Sequence, residues 1–421
     1  MKNSLEPGIN FYDYVKNNAF ADTRGLILAM RDKCNDFSVE FAVTQIECRR
    51  KTQRKLMAFL SEDRFLFPSL LAAEQSTHQC VAAYHAMLVG KDKKILDMTA
   101  GLGIDAFTMA RAGNRVTAVE LDPHRAEVLE HNARLDSNGP VEVIEGDSIA
   151  WLSGNPLQRH FDIIFVDPAR RDSDNRRTYF FKDCLPDIVS SFDVISASAD
   201  KILIKASPII DITQAVREVP GVSAVHIACV KGECKEVLLV SEPAIKTDTG
   251  DIDIVAVDID ETPDLSVRII SRLSFKMSSL VEKAPLVTLT DIIPGTFLYD
   301  PNAAVHKLNC AGVLCNAYKG LKKISYNTDL YWSTDLKRDF PGRVFRIVSI
   351  PDKSALRSLA GAKCEVATRN YPLTSDQLRK KLNVRSGMTD FIFGCKAGEK
   401  ERPMLIKCSR VVIEMVTNKL V

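Results

Sequence analysis

The stretch Ile95-Leu-Asp-Met-Thr-Ala-Gly-Leu-Gly-Ile-Asp-Ala106 constrains this chain more than any other segment. A short apolar run ends at Asp97, two glycines follow one residue apart, and a helical pattern begins near Asp105. Such a sequence passes from strand through a tight turn into a helix. Gly101 and Gly103 permit positive φ and let the backbone approach a ligand, while the new helix offers unpaired N–H groups to an anionic end of that ligand. Asp97 then faces a cationic end, such as an ammonium. Gly-Leu-Gly-Ile-Asp-Ala also satisfies the dinucleotide pattern G-x-G-x-x-A, which leaves a nicotinamide-dependent dehydrogenase open.

Acids at the ends of the following strands narrow the choice. Glu120 closes the second strand, where a carboxylate can accept both hydroxyls of a ribose. Asp147 in Glu145-Gly-Asp follows the third and is placed to bond an adenine amino group. Asp167 opens Asp-Pro-Ala-Arg170 after the fourth. Four carboxylates at the carboxyl ends of four consecutive strands line the crevice in which open α/β sheets bind ligands. Each taken singly also reads as a helix cap or a solvated loop residue.

Periodicity predicts the surroundings. Asp22 to Cys34, Ser38 to Leu60 and Leu70 to Leu88 carry apolar residues at helical spacing. From Lys93 onward, strands are expected at 94–97, 115–120, 141–145, 161–167, 201–205, 223–230 and 236–241 with helices between most of them, hence a parallel sheet covered on both faces. Only five residues separate the last two strands, so they should form an antiparallel hairpin. Beyond it the chain predicts a strand within 247–261, further strands at 268–275, 343–350, 364–368, 390–395 and 404–408, and helices at 303–314 and 374–382. Thr374-Ser-Asp-Gln377 reads as a capping box for the last helix.

These residues resemble the class I S-adenosylmethionine-dependent methyltransferases over roughly residues 74 to 241: the glycine motif, the acidic second and third motifs, the Asp-Pro motif and the antiparallel final hairpin. Thr99 stands where that family usually has its first glycine. A closer resemblance, to bacterial methyltransferases with a C-terminal THUMP-like domain, rests on Glu74-Gln-Ser76, Asp-Pro-Ala-Arg-Arg171, Lys205-Ala-Ser-Pro208 and Arg369-Asn-Tyr-Pro-Leu-Thr374. It implies a Rossmann-like seven-stranded α/β domain with an N-terminal helical region and a C-terminal α+β (ferredoxin-like and THUMP-like) appendage. The expected division is 1–75 helical, 76–245 cofactor-binding, 246–335 linker strand and ferredoxin-like region, and 336–421 THUMP-like. S-adenosylmethionine is then the cofactor, held by Asp97, Thr99, Gly101, Gly103, Glu120, Asp147 and Gln75, with Asp167 and Arg170 at the reacting centre. RNA is the acceptor implied by analogy with true THUMP domains.

Composition bears on the acceptor. The 22 Lys and Arg against 10 Asp and Glu after residue 300 leave, by subtraction from the chain's 56 and 54, 34 basic and 44 acidic residues before it. A basic C-terminal region suits phosphate neutralisation, and a solvated basic surface fits it equally. Arg170, Arg171, Arg176 and Arg177 cluster beyond Asp167 as a candidate substrate clamp, and Arg369 and Lys380 are candidate RNA contacts around the capped helix. Ala169 and Arg170 replace the proline and aromatic that usually stack a base during exocyclic amine methylation, with Tyr179, Phe180 and Phe181 as possible substitutes. Cys184 is the nearest candidate nucleophile for carbon methylation. The 11 cysteines and 7 histidines are scattered without metal-ligand spacing, and no apolar run is long enough to cross a membrane or resembles an export signal, so no metal and a cytoplasmic setting are expected. A methyltransferase acting on a small molecule or protein remains the alternative.

Overall fold

The computed structural model describes residues 7–30, 37–136, 139–154, 160–170, 180–387 and 389–413. They form two compact units, the first comprising 1–230, 235–247 and 259–268, the second 231–234, 248–258 and 269–421.

In the first unit α1 (Ile9–Asn17), α2 (Thr23–Met30), α3 (Val39–Thr52), α4 (Met57–Leu60), α5 (Leu70–Gln75) and α6 (Gln79–Val89) precede the sheet. The expected Ser38–Leu60 and Leu70–Leu88 helices are each broken in two. Ser76 (ψ 154°) and His78 (ψ 130°) are extended, because the Thr77 hydroxyl is drawn into bonds with Asp105 and Lys205. These tertiary partners outcompete continuation of the helix. α1 falls within the expected 1–75 helical region, though no bounds were expected for it.

Strands β1 (Lys94–Asp97), β2 (Arg115–Glu120), β3 (Val141–Glu145), β4 (Phe161–Val166), β5 (Ala199–Ala206), β6 (Val222–Val230) and β7 (Glu233–Ser241) follow, with α7 (Ile104–Arg111), α8 (Pro123–Leu135), α9 (Ser148–Ser153), α10 (Phe192–Ser196) and α11 (Ile212–Glu218) among them. Their order is β6-β7-β5-β4-β1-β2-β3. The pairs β1–β2, β2–β3, β1–β4 and β4–β5 are parallel, and β7 is antiparallel to β5. After β3 the chain returns to the other side of β1, so the topological switch lies between β1 and β4, where open α/β sheets leave a crevice.

The N-terminal helices share the core of this sheet. Cys48, Leu56, Phe59, Phe65, Phe67 and Ala73 pack in one buried cluster with Phe107, Met109 and Leu129. Each such apolar side chain contributes roughly 1.5–3 kcal/mol. The Asn132 side chain pairs with both the N–H and the carbonyl of Leu66 at 2.9 Å, and the Arg111 guanidinium lies 4.8 Å from the Phe59 ring centre. The helices are thereby integral to the unit.

The second unit carries β8 (Asp253–Ile259), β9 (Ile269–Lys276), β10 (Phe297–Pro301), β11 (Lys322–Ser325), β12 (Thr328–Ser333), β13 (Gly342–Ser349), β14 (Glu365–Arg369), β15 (Asp390–Ala397) and β16 (Arg402–Arg410), with α12 (Ala303–Leu308), α13 (Ala311–Ala317), α14 (Lys353–Arg357) and α15 (Ser375–Leu382). Seven of these strands form a sheet in the order β11-β12-β10-β13-β16-β15-β14. The expected helix 303–314 ends early, because Asn309 adopts the left-handed conformation (φ 48°) that closes α12. The capping box on α15 is present. β10, β11 and β12 escaped sequence reading, since they are four to six residues long and buried almost throughout. They have no alternation to detect.

Gly103 lies at φ +84°, and a Cβ there would stand 2.4 Å from Leu129 Cδ1 and 2.6 Å from Phe107 Cε2. Gly113 is also left-handed (φ +98°) but open. Gly103→Ala is therefore expected to lose roughly 2–4 kcal/mol through overpacking added to backbone strain, against about 1 kcal/mol for Gly113→Ala. Urea unfolding of both variants checks this; equal losses would mean that packing at Gly103 contributes nothing.

Candidate cofactor and acceptor site

The glycine turn is held by short backbone bonds, Ala100 N–H to Val119 O at 3.0 Å and Gly103 N–H to Ala100 O at 2.7 Å. Gly101 (φ +55°) has only the Thr99 carbonyl, at 3.9 Å, near the position of a Cβ. Unlike Gly103, it is not crowded by protein, and open space adjoins its backbone. Gly101 N–H donates to Glu120 Oε2 at 2.8 Å, while Glu120 Oε1 accepts from Asp122 N–H at 2.9 Å. The Glu120 carboxylate is thus fixed from two sides. Asp147 caps α9 by accepting from Ala150 N–H at 2.8 Å, so the cap reading and a place at the strand end hold together. Thr99 Oγ1 accepts from the Asp167 N–H at 2.7 Å, tying the ends of β1 and β4.

Behind the turn lies a buried ionic chain that sequence reading missed. The register setting Val166 opposite Ile204 carries Asp167 and Lys205 to adjacent positions, and β7 returns Glu236 to the same end. Lys205 is 6% exposed. Its ammonium donates to Asp167 Oδ2 at 2.6 Å and Thr77 Oγ1 at 2.8 Å, and lies 3.7 Å from Glu236 Oε2 and 3.9 Å from Asp105 Oδ2. His85, wholly buried on α6, bridges Asp105 Oδ1 through Nδ1 at 2.8 Å and Glu236 through Nε2. Burial alone lowers the imidazole, but Glu236 and Asp105 outweigh it and hold His85 up at about 9. Burial likewise opposes the Lys205 charge, and Asp167, Asp105 and Glu236 overcome it, raising the ammonium above the lysine range. Asp105, which burial would raise, is brought below the usual carboxylate range by Lys205 and His85.

Asp97 differs. Its Oδ1 accepts from Thr99 N–H at 3.1 Å, and among the described residues no ion pair reaches it. Burial, followed by the repulsion of Asp105, pushes its carboxyl up to about 8. A buried acid in this state is a receptor for a cation.

A cavity of about 620 Å³ adjoins Asp167, with Pro168, Thr77, Lys205 and Gln75 on its wall. Gly101, Glu120 and Asp147 are not on that wall. The elements that bring these groups together are the α5–α6 break and the ends of β4, β5 and β7.

The other expected residues are placed as follows. Arg170 is described in its backbone, paired with Cys184; Arg171, Arg176, Arg177 and Tyr179 lie outside the described residues. Phe181 is fully buried, its N–H donating to Glu218 at 2.8 Å, which removes it as a stacking surface. Cys184 is buried and lies 3.4 Å from the Phe180 carbonyl. In the second unit Arg369 is committed to Asp300, 1% exposed, through Nε to Oδ1 and Nη2 to Oδ2, both at 3.1 Å. Lys380 is exposed on α15. The signal for two of the missed residues was a polar side chain inside an apolar run, His85 in α6 and Lys205 in β5; Glu236 follows the charged Glu233-Cys-Lys235 and carried no such signal.

Three family models match the chain in order: "Putative SAM-dependent methyltransferase" over residues 26–176, "ferredoxin-like domain" over 297–341 and "THUMP domain-like" over 342–410. The crystal structure of a "putative methyltransferase from Porphyromonas gingivalis W83" is similar over 96% of this chain and 98% of its own, with a TM-score of 0.82 and 25% identity. Ribosomal RNA small subunit methyltransferase J of Chromobacterium violaceum is 34% identical over 97 residues, 21% of this chain and 38% of that protein. The mitochondrial ubiquinone biosynthesis O-methyltransferase of Schizosaccharomyces pombe is 36% identical over 91 residues, 21% of this chain and 32% of that protein. The chain thus spans about a third of the length of these curated relatives. The sheet order and glycine turn are shared with S-adenosylmethionine-dependent methyltransferases, and the chain carries such a domain followed by ferredoxin-like and THUMP-like domains. The cofactor fits the site on two observations: Gly101 leaves its backbone open, and Asp97 is a buried acid with no ion pair among the described residues, which suits a ligand that carries an ammonium.

Lys205→Met leaves Asp105, Glu236 and Asp167 without their shared cation and should cost about 3–5 kcal/mol at neutral pH, as breaking a buried pair does; adding Glu236→Gln should recover part of that in urea unfolding. Binding of an ammonium favours ionised Asp97, so below pH 8 S-adenosylhomocysteine should bind with proton release, and its affinity should rise with pH by up to roughly tenfold per unit. Calorimetry between pH 6 and 8 tests this. A flat profile, or a slope retained in Asp97→Asn, would contradict the role of Asp97.

Proposed function

We propose that this chain transfers a methyl group from S-adenosylmethionine to RNA. The observation that carries the reading is the convergence of Asp97, Gly101, Glu120 and Asp167 at the switch point of the sheet, in a chain that ends in a THUMP-like domain. Similarity to a ribosomal RNA methyltransferase over part of the chain, and the basic excess after residue 300, support RNA as the acceptor. The comparable similarity to an O-methyltransferase of ubiquinone biosynthesis supports a small-molecule acceptor as the second reading.

The donor supplies an electrophilic methyl on a sulfonium. In-line displacement needs the acceptor atom about 3–3.5 Å from that methyl, so the protein's contribution is chiefly positioning. Glu120, fixed by two backbone N–H groups, receives the ribose hydroxyls; Asp97 receives the ammonium; Gly101, Gly103 and Thr99 shape the turn against the methionine end. Asp147 keeps a carboxylate oxygen for the adenine amino group, and Gln75 closes the site from α5. Lys205 occupies Oδ2 of Asp167 and so aims Oδ1 at the acceptor, which it orients by accepting a hydrogen bond. Arg170, Arg171 and Arg176 clamp the acceptor strand. Lys380 contacts phosphate on the second unit, and Arg369, held by Asp300, shapes that surface.

The test is transfer of tritiated methyl to extract from a strain lacking the gene. Label should enter nuclease-sensitive RNA. Asp167→Ala should reduce turnover by roughly 10²-fold or more with cofactor affinity within twofold, whereas Asp97→Ala should weaken S-adenosylhomocysteine binding by at least tenfold. Label confined to protein or small molecules would overturn the RNA reading; parallel losses in both variants would overturn the division of roles.

A further inference from the structure

Asp105 and Glu236 each turn one carboxylate oxygen to His85 and the other toward Lys205. On Asp105, Oδ1 accepts from His85 Nδ1 at 2.8 Å, while Oδ2 accepts from the Thr77 hydroxyl and lies 3.9 Å from the ammonium. On Glu236, Oε1 accepts from His85 Nε2, and Oε2 lies 3.7 Å from the ammonium. Lys205 in turn donates to Thr77 Oγ1 at 2.8 Å. The groups close a ring that runs from Lys205 through Thr77, Asp105, His85 and Glu236 back to Lys205. Its members come from the α5–α6 break, α6, α7, β5 and β7.

Both imidazole nitrogens of His85 meet carboxylate oxygens, which can only accept, so both nitrogens must carry hydrogen. The geometry therefore requires the imidazolium. The Phe165 ring, 5.3 Å from the imidazole centre, packs beside it. Charge in the ring then cancels, Lys205 and His85 against Asp105 and Glu236. Asp167 is the fifth charged group and pairs with Lys205 at 2.6 Å. Its side chain is 43% exposed, whereas those of the four charged ring members are 9% exposed or less. Lys205 and Glu236 also reach the cavity wall, but their charges are engaged within the ring. The charge left over stands on Asp167, the exposed end of the assembly.

We propose that His85 and Glu236 are positioning residues for methyl transfer, acting through Lys205 to hold the Asp167 carboxylate in place at the cavity. The inference rests on the reading of Asp167 as the residue that faces the acceptor. Its physical basis is competition for one ammonium. Lys205 stands between Asp167 on one side and Asp105 with Glu236 on the other, and His85 satisfies the second pair. Without the imidazolium the ring carries an excess negative charge, which draws the ammonium inward and away from Asp167. Such forces are strong where water is excluded. Transfer responds to them because the reacting atoms must stay within about 3–3.5 Å, and a small misplacement costs a large factor in rate. His85 is not on the cavity wall, so its influence passes through its partners.

The experiment measures tritiated methyl transfer to extract of a strain lacking the gene, in whichever fraction takes the label, with S-adenosylhomocysteine calorimetry on the same full-length variants. His85→Gln should lower turnover at least tenfold while S-adenosylhomocysteine affinity stays within threefold, which also reports a folded cofactor site. Adding Glu236→Gln removes the excess negative charge and should raise turnover at least threefold above that of His85→Gln. A merely structural role would make the two losses add. Nitrogen NMR of the unsubstituted chain should show both ring nitrogens of His85 protonated at neutral pH, a readout that needs neither turnover nor a variant. If His85→Gln does not fold, that spectrum and Glu236→Gln alone, expected to lower turnover at least threefold at unchanged cofactor affinity, decide the matter. A neutral imidazole, full turnover in His85→Gln, or additive losses overturns the proposal. Asp167→Ala separates it from the reading beneath it: lost turnover there beside full turnover in His85→Gln sinks the positioning role alone, whereas full turnover in Asp167→Ala sinks both.

Discussion

One ammonium, that of Lys205, is shared by Asp167, Asp105 and Glu236 in a place from which water is almost excluded. Like charges about 4 Å apart repel by roughly 4 kcal/mol at an effective dielectric near 20. The Lys205 ammonium lies 2.6–3.9 Å from three carboxylates, which it thereby holds near one another. Without Lys205 and the imidazolium of His85, they would have to take up protons or spread apart. The buried cations therefore tie the glycine turn, reached through Asp105 on α7, to the cavity beside Asp167.

The same contact explains why the N-terminal helices belong with the sheet. Thr77 hydrogen-bonds to both Lys205 and Asp105, and it can do so only because the chain is extended between α5 and α6. Lys55 holds the end of α5 through two carbonyls, and the Phe59, Phe65 and Phe67 rings sit in the core with Phe107. A segment that reads as an independent helical region is one wall of the cavity beside Asp167.

Much of the glycine turn and of the strand ends around it was legible because the signals are local. A glycine with positive φ at a strand-to-helix turn leaves a mark at one position, and Asp97, Glu120 and Asp147 stand within a residue or two of strand ends that periodicity locates. β1, β2 and β3 have the bounds expected from apolar runs. The ionic chain behind the turn was not legible. Lys205 and Glu236 are 31 residues apart in number and His85 is farther from both; single polar residues in apolar segments give no hint of their partners. Arg369 illustrates the converse, a basic residue whose surroundings suggested RNA contact and whose guanidinium is engaged by a buried Asp300.

The sequence by itself determined the class of sheet, its glycine turn and the acids around it, because backbone conformation and strand alternation are encoded by neighbours in the chain. Only the tertiary structure decided which charges share a site. Parallel register set Asp167 beside Lys205, helix packing drove His85 between Asp105 and Glu236, and the α3–α4 loop brought Arg54 and Lys55 to the cavity. Electrostatic partnership depends on distance through space, and separation along the chain carries almost none of that information.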